Sequence, residues 1–214
     1  MAAKHIVWDW NGTLLSDNHA VVSAVNAVCL GFGREAITLE YWRSVFSRPL
    51  VECYERLLGR ELDAADWVRI DGLYHDHYRG LLSGCGLADG VPGYLKSWVE
   101  GGGTQSLLSM WYHDELVELV GAYGLTGMFR RVDGLREAGQ GGSKAAHLAA
   151  HVGALGIAAG DVVVVGDVVD DAEAAAHVGA SCVLLTTGVM SRVKLEAVGV
   201  PVVDSIAEAL VLVG

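Results

Sequence analysis

Apolar positions fall into short continuous runs separated by longer stretches at helical spacing. The clearest run is Val162-Val163-Val164-Val165, the heart of a predicted strand over residues 162–167. Similar β-branched or apolar runs occupy residues 5–9, 104–109, 129–132 and 181–186, with a weaker sixth at 200–203. Runs this short and this uniformly apolar suit strands covered on both faces, as in a parallel sheet. Most are followed by Ala-, Leu- or Val-rich segments at helical spacing, over residues 114–123, 143–152, 171–178 and 205–212. Alternating strands and helices predict a doubly wound α/β fold with a parallel sheet. Such folds place their sites at the carboxyl ends of the strands.

The stretch between the first two strands breaks this rhythm. Helical spacing recurs over residues 18–30, 39–46, 50–58 and 64–82. Four helices are too many for a single crossover, so the pattern predicts an inserted helical cap over residues 16–88. The α/β core then comprises residues 1–15 and 89–214, with hinges at Ser16-Asp17 and in the glycine-containing segment 84–93.

Composition narrows the class. The chain has 214 residues, 52% hydrophobic and 19% charged, which excludes a disordered protein. A membrane-spanning helix needs about 20 apolar residues, and no run approaches that length. The opening residues run straight into the first strand without a signal-peptide pattern. The four cysteines, Cys29, Cys53, Cys85 and Cys182, are scattered and form no CxxC pair. These features fit a cytoplasmic protein with free thiols. There are 15 basic and 26 acidic residues, a net charge of −11, and no basic cluster is longer than Arg130-Arg131. That excludes a nucleic-acid binder, while a phosphorylated small molecule stays compatible through local cations or a metal.

Acids stand where the fold puts chemistry. Asp9 closes the first strand and Asp167 the fourth, so both carboxylates fall at one sheet edge. Clustered carboxylates repel and call for a cation, and hard oxygen ligands beside a phosphate suit Mg²⁺. The plainer role for each acid alone is to cap the following helix. Asn11-Gly12-Thr13 forms a turn able to face an anion. Ser109 ends the second strand as a candidate phosphate donor. Lys144 follows the glycine-rich Gly139-Gln140-Gly141-Gly142-Ser143 as a candidate counter-cation. This segment is not a P-loop, because Ala145 follows Lys144.

Asp9-Trp10-Asn11-Gly12-Thr13-Leu14-Leu15 resembles the DxDGTL motif of the haloacid dehalogenase (HAD) superfamily. Ser109 and Lys144 match its second and third motifs. Gly166-Asp167-Val168-Val169-Asp170-Asp171 matches the fourth, GDxxxD. The inserted helices resemble the C1 cap of phosphoglycolate-phosphatase-like members. The resemblance implies a Mg²⁺-dependent phosphatase acting on a small phosphorylated metabolite, as a monomer or homodimer. Asp9 would be the nucleophile. Asp9, the Asn11 carbonyl and Asp167 would hold Mg²⁺, with Asp171 orienting its water. Thr13, Ser109 and Lys144 would hold the phosphoryl group. Asn11 departs from the pattern, since the family's phosphatases carry an acid–base Asp there. General acid–base catalysis typically contributes about 10²–10⁴-fold. A slow phosphatase follows, or a catalytically weak HAD-fold protein that binds a phosphorylated ligand or partner.

Weaker features complete the reading. His75 and His77, in Tyr74-His75-Asp76-His77-Tyr78, diverge by about 200° on a helix, which disfavours a metal site. His147 and His151 share a helix face expected to be solvated. Trp8 and Trp10 flank Asp9 and suit sheet packing, Trp10 being the better candidate for lining the site. Arg48, in an expected cap loop, is a candidate substrate contact, with an exposed arginine as the alternative.

Overall fold

In the computed structural model, which describes residues 4–136 and 143–214, the buried apolar runs align side by side. The order begins with β1 (His5–Trp8), β2 (Leu15–Ser16), α1 (Asn18–Gly31), α2 (Leu39–Val45), α3 (Leu50–Leu58) and α4 (Ala64–Leu81). It continues with β3 (Gly86–Leu87), α5 (Val91–Glu100), β4 (Thr104–Tyr112), α6 (His113–Ala122) and β5 (Val132–Leu135). It ends with α7 (Lys144–Leu155), β6 (Val162–Gly166), α8 (Val169–Val178), β7 (Ser181–Leu185), α9 (Arg192–Glu196), β8 (Val202–Val203) and α10 (Ile206–Val213). Six strands form one parallel sheet in the order β5-β4-β1-β6-β7-β8. Helices flank it, α5 packing with α10 and α7 with α8. This is the doubly wound α/β architecture. The central strands β1 and β6 are buried throughout, which is why their sequences show no alternation. No helix among the described residues is long and apolar enough to cross a membrane.

Between β1 and the rest of the sheet, α1 to α4 gather above it, α1 lying along α4. The chain leaves and returns through adjacent segments. There β2 and β3 pair antiparallel, Leu15 opposite Leu87 and Ser16 opposite Gly86. Two residues per strand are too few for a periodicity signal, so this ribbon was invisible in the sequence. Helices α5 and α9 were also unforeseen; α9 spans only five residues.

Two strand boundaries differ from expectation. β5 covers Val132–Leu135, displaced from 129–132, although residues 130 and 131 already bond to β4 through Arg130 N to Gln105 O and Leu107 N to Arg131 O. The displacement follows from β4, which continues to Tyr112 across an irregularity in register after Leu108. Gly134 permits that pairing, since a Cβ there would lie 2.5 Å from the Trp111 carbonyl oxygen. Ser109 therefore sits within β4, not at its end. Helix α7 begins at Lys144, with the Ser143 side chain accepting a bond from Ala145 N. The rest of the predicted glycine-rich loop, residues 139–142, lies outside the described residues, as do residues 1–3.

One expectation is reversed. His151 is buried, not solvated. Its Nδ1 meets Asp133 Oδ2 at 2.7 Å and its Nε2 meets Ser106 Oγ at 2.7 Å. Ser106 also meets His5 Nε2 at 2.8 Å, and His5 Nδ1 meets Thr104 Oγ1 at 2.7 Å. The helical spacing of His151 was read correctly, but polarity misled. An imidazole can be buried when both nitrogens are hydrogen-bonded. Burial pushes His5 down to about 4 and also lowers His151.

The sign of the pH effect follows. Below pH 6.5 an unfolded histidine takes up a proton that folded His5 refuses until about pH 4. The unfolded chain then binds more protons, so this group destabilises the fold as pH falls through that window. We expect the urea midpoint of the wild type to fall relative to His5→Gln between pH 7 and 4.5. The difference cancels titrations that the two proteins share, and parallel profiles would refute it.

Candidate active site

The register of β1 on β6 places Trp8 beside Val165, so the next residues emerge at one edge. Asp9 N donates to Val165 O at 2.9 Å, extending the pairing by one step. Asp9, Asp167 and Asp171 are buried, and one carboxylate oxygen from each lies within 4.8 Å of the others. Close packing here depends on missing side chains. A Cβ on Gly188 would fall 1.7 Å from Asp167 Oδ2, and one on Gly12 2.7 Å from it. Gly12 also has φ +68°, which glycine adopts freely.

Lys144 opens α7 and buries its ammonium in this cluster. Its Nζ lies 2.5 Å from both Asp9 Oδ1 and Asp171 Oδ1. The other Asp171 oxygen accepts from Val168 N at 3.2 Å. Both Asp171 oxygens are thus engaged in holding Lys144 and the start of α8. Asp167 Oδ2 accepts from Val189 N at 3.1 Å. Burial works against the Lys144 ammonium, but the Asp171 and Asp9 carboxylates outweigh it and raise its pKa above the usual lysine value. Burial raises the Asp9 pKa against the pull of Lys144, with Asp171 adding repulsion. The Asp167 pKa is also raised, by burial and by repulsion from Asp9 and Asp171. One ammonium facing three buried carboxylates leaves a negative excess, and hard oxygen donors of this kind fit Mg²⁺.

The turn after Asp9 is tied to two residues that sequence reading did not place in the site. Asn11 Nδ2 donates to Asp17 Oδ2 at 2.9 Å and to Tyr78 Oη at 2.7 Å. Gly12 N donates to Asp17 Oδ1 at 2.8 Å, and the Tyr78 hydroxyl donates to Asp17 Oδ2 at 2.6 Å. Ser109 Oγ donates to Asn11 Oδ1 at 3.3 Å. The carboxamide is therefore oriented with both N–H bonds turned toward Asp17 and Tyr78. Asp17 occupies the N-cap position of α1 but makes no side-chain capping bond. Its sequence position mimics a cap while its carboxylate serves the turn.

A cavity of about 460 Å³ opens beside these groups. Asp9, Asn11, Ser109, Lys144 and Asp167 line it together with Arg48 and residues of α2, α3 and α4. Arg48 thus reaches the cavity, where its Nε lies 3.3 Å from Asp170. Thr13 is fully buried, with its hydroxyl 3.5 Å from Asp167 Oδ1. Trp8 and Trp10 are both fully buried, as sheet packing requires. Trp10 packs against Tyr123, with ring centroids 6.0 Å apart, and not toward the cavity. His75 and His77 diverge as their spacing requires, His75 toward Trp111 and His77 onto Ser23.

The Lys144 geometry makes a stability prediction. Lys144→Met leaves buried carboxylates without their ammonium, and removing one partner of a buried ion pair costs about 3–5 kcal/mol. We expect the urea midpoint at pH 7.5 to fall accordingly, with Mg²⁺ restoring more stability to the variant than it adds to the wild type. An unchanged midpoint would show that the ammonium does not balance the cluster.

Sequence and structure comparisons point to one fold. A family model described as HAD-hydrolase-like matches residues 141–209, the stretch carrying Lys144, Asp167 and Asp171. A predicted phosphatase from Clostridium acetobutylicum superposes with a TM-score of 0.83 at 18% identity, over 98% of this chain and 97% of that one. A predicted phosphoglycolate phosphatase from Haemophilus somnus gives 0.79 at 17% identity, over 99% and 98%. A haloacid dehalogenase-like family hydrolase from Streptococcus pneumoniae gives 0.83 at 14% identity, over 99% of both chains. No curated protein matches the chain in sequence. The chain has the fold of the haloacid dehalogenase-like hydrolases, with 98–99% of it covered by these structures, and residues 141–209 match the family model.

Proposed function

We propose that the protein is a Mg²⁺-dependent phosphomonoester hydrolase with Asp9 as its nucleophile. The observation that carries this reading is the Lys144 ammonium clamped between Asp9 and Asp171 in a buried carboxylate cluster beside the cavity. Asp9 and Asp167 would hold the metal with help from the Asn11 carbonyl, because Asp171 already has both oxygens engaged. Bound there, Mg²⁺ would neutralise charge on the cluster and on the phosphoryl oxygens.

In the first step an Asp9 oxygen forms a bond to phosphorus as the ester oxygen leaves with its electron pair. In the second, water attacks the aspartyl-phosphate and returns the Asp9 carboxylate and inorganic phosphate. Lys144 favours ionised Asp9 and offers a positive charge to the phosphoryl oxygens. Ser109 stands at the cavity wall, where its hydroxyl would turn from Asn11 Oδ1 to donate to a phosphoryl oxygen, and Arg48 stands as a contact from the helical side. Thr13 supports the Asp167 side of the cluster. Residues 16–88 act as a cap hinged at the β2–β3 ribbon, closing the cavity against bulk water.

Asn11 favours a second reading, a weakly catalytic protein that retains a phosphorylated ligand. Its carboxamide has no proton to transfer, and its N–H bonds are turned toward Asp17 and Tyr78. A phosphate-ester panel with Mg²⁺ separates the two. Hydrolysis lost in EDTA and in Asp9→Asn supports the enzyme. Tight binding without turnover supports the second reading.

The wiring of Asn11 also sets what restoring an acid would do. Asn11→Asp alone would put a second carboxylate about where Nδ2 now meets Asp17, at 2.9 Å. Asp17 would then face repulsion in place of a donor. We expect the single variant to gain little, while Asn11→Asp with Asp17→Asn raises kcat on alkyl phosphates by about 10–10³-fold, within or below the usual acid–base range. Equal rates in the single and double variants would show that Asp17 does not control this position.

A further inference from the structure

We infer, resting on the phosphatase reading, that the substrate is a phosphate monoester whose leaving group is aromatic and carries no second anionic charge. Two groups of packed rings line the cavity beside Asp9. In one, Tyr54 lies 5.9 Å from Trp42 and 6.0 Å from Trp67, centroid to centroid. In the other, Tyr78 stacks on Tyr74 at 5.8 Å and meets Trp111 edge-on at 5.0 Å. All six rings line the cavity. Five come from the helices between β2 and β3, and Trp111 comes from β4. Aromatic rings gain most from offset or edge contacts with another ring, so these walls suit a planar guest.

Charge on the walls points the same way. Each basic residue of the lining faces a carboxylate: Lys144 meets Asp9 and Asp171, Arg48 meets Asp170, and His75 Nδ1 lies 3.2 Å from Asp71 Oδ1. Asp17 and Asp71 add negative charge to the same lining. A leaving group with its own carboxylate, as in phosphoglycolate, would meet repulsion there. An uncharged ring would not.

The test uses the full chain with Mg²⁺ and three esters whose leaving oxygens have similar acidity: 2-phenylethyl phosphate, propyl phosphate and phosphoglycolate. We expect kcat/KM for the phenylethyl ester to exceed both others by about tenfold or more, the scale of discrimination by an apolar pocket. Phosphoglycolate turned over as well as or better than the phenylethyl ester would overturn the inference and leave the phosphatase reading intact. Turnover of none of these, nor of acetyl phosphate, would instead sink the phosphatase reading. Calorimetric binding of 2-phenylethyl phosphate against phosphoglycolate would then decide the chamber's preference, with equal or reversed affinities overturning it. Trp67→Leu and Tyr74→Leu, each at a half-buried wall position, should cut the phenylethyl-to-propyl ratio by about threefold or more. A ratio kept in both variants would show that the rings do not select the guest.

Discussion

The site depends on a charge imbalance held in a dry place. Asp9, Asp167 and Asp171 converge within a few ångströms, and the Lys144 ammonium touches two of them. Buried carboxylates this close repel, and each loses hydration that bulk water would supply. The fold sustains the cluster by covalent position: Asp9 continues β1, Asp167 follows β6, Asp171 lies in the first turn of α8 and Lys144 opens α7. Backbone N–H groups of Val168 and Val189 hold the outer oxygens. The remaining negative charge is what a divalent cation would offset in the proposed phosphatase.

The turn from Asp9 to Asp17 couples that cluster to the helices above it. Asp17 gathers N–H groups from Asn11 and Gly12 and a hydroxyl from Tyr78 of α4. Tyr78 is buried, and its phenol is pushed far above the ordinary tyrosine range by burial and by the Asp17 charge. It therefore stays neutral and keeps donating. A change at the tip of α4 must disturb either this hydroxyl or the carboxamide beside it, so the position of the helices and the orientation of Asn11 are physically linked.

The helices contribute more than a cover. Their inward residues include large aromatic side chains packed on one another and on Trp111 of β4, which makes the cavity mainly apolar a short distance from its most charged point. A polar head and a ring-bearing tail have different homes in such a chamber. The network of His5, Ser106, His151 and Asp133 shows the same economy of polarity within the core. Each imidazole is buried because both its nitrogens are engaged.

Continuous apolar runs revealed the parallel sheet, because strands covered on both faces leave no alternation to misread. The acids at the ends of the first and fourth strands were legible for the same reason, since parallel strands deliver their carboxyl ends to one edge. Lys144 stood out as a cation opening a helix after a glycine-rich segment, and Asp171 followed from the resemblance of the fourth motif. Other features depended on contacts between distant segments. Asp17 reads as a hinge residue in sequence, and only the folding of α4 over the turn brings Tyr78 within 2.6 Å of it. The burial of His151 on α7 required Ser106 and Asp133 on two strands of the sheet. β5 was set by the length of β4 and by the space that Gly134 leaves. The sequence by itself determined the alternation of the main strands and helices, the helical insertion and the acids at the strand ends, because these follow from local period and position. Tertiary structure alone decided which polar groups are paired and what the helices present to the cavity, because hydrogen bonds and ring contacts form between residues that sequence spacing leaves unrelated.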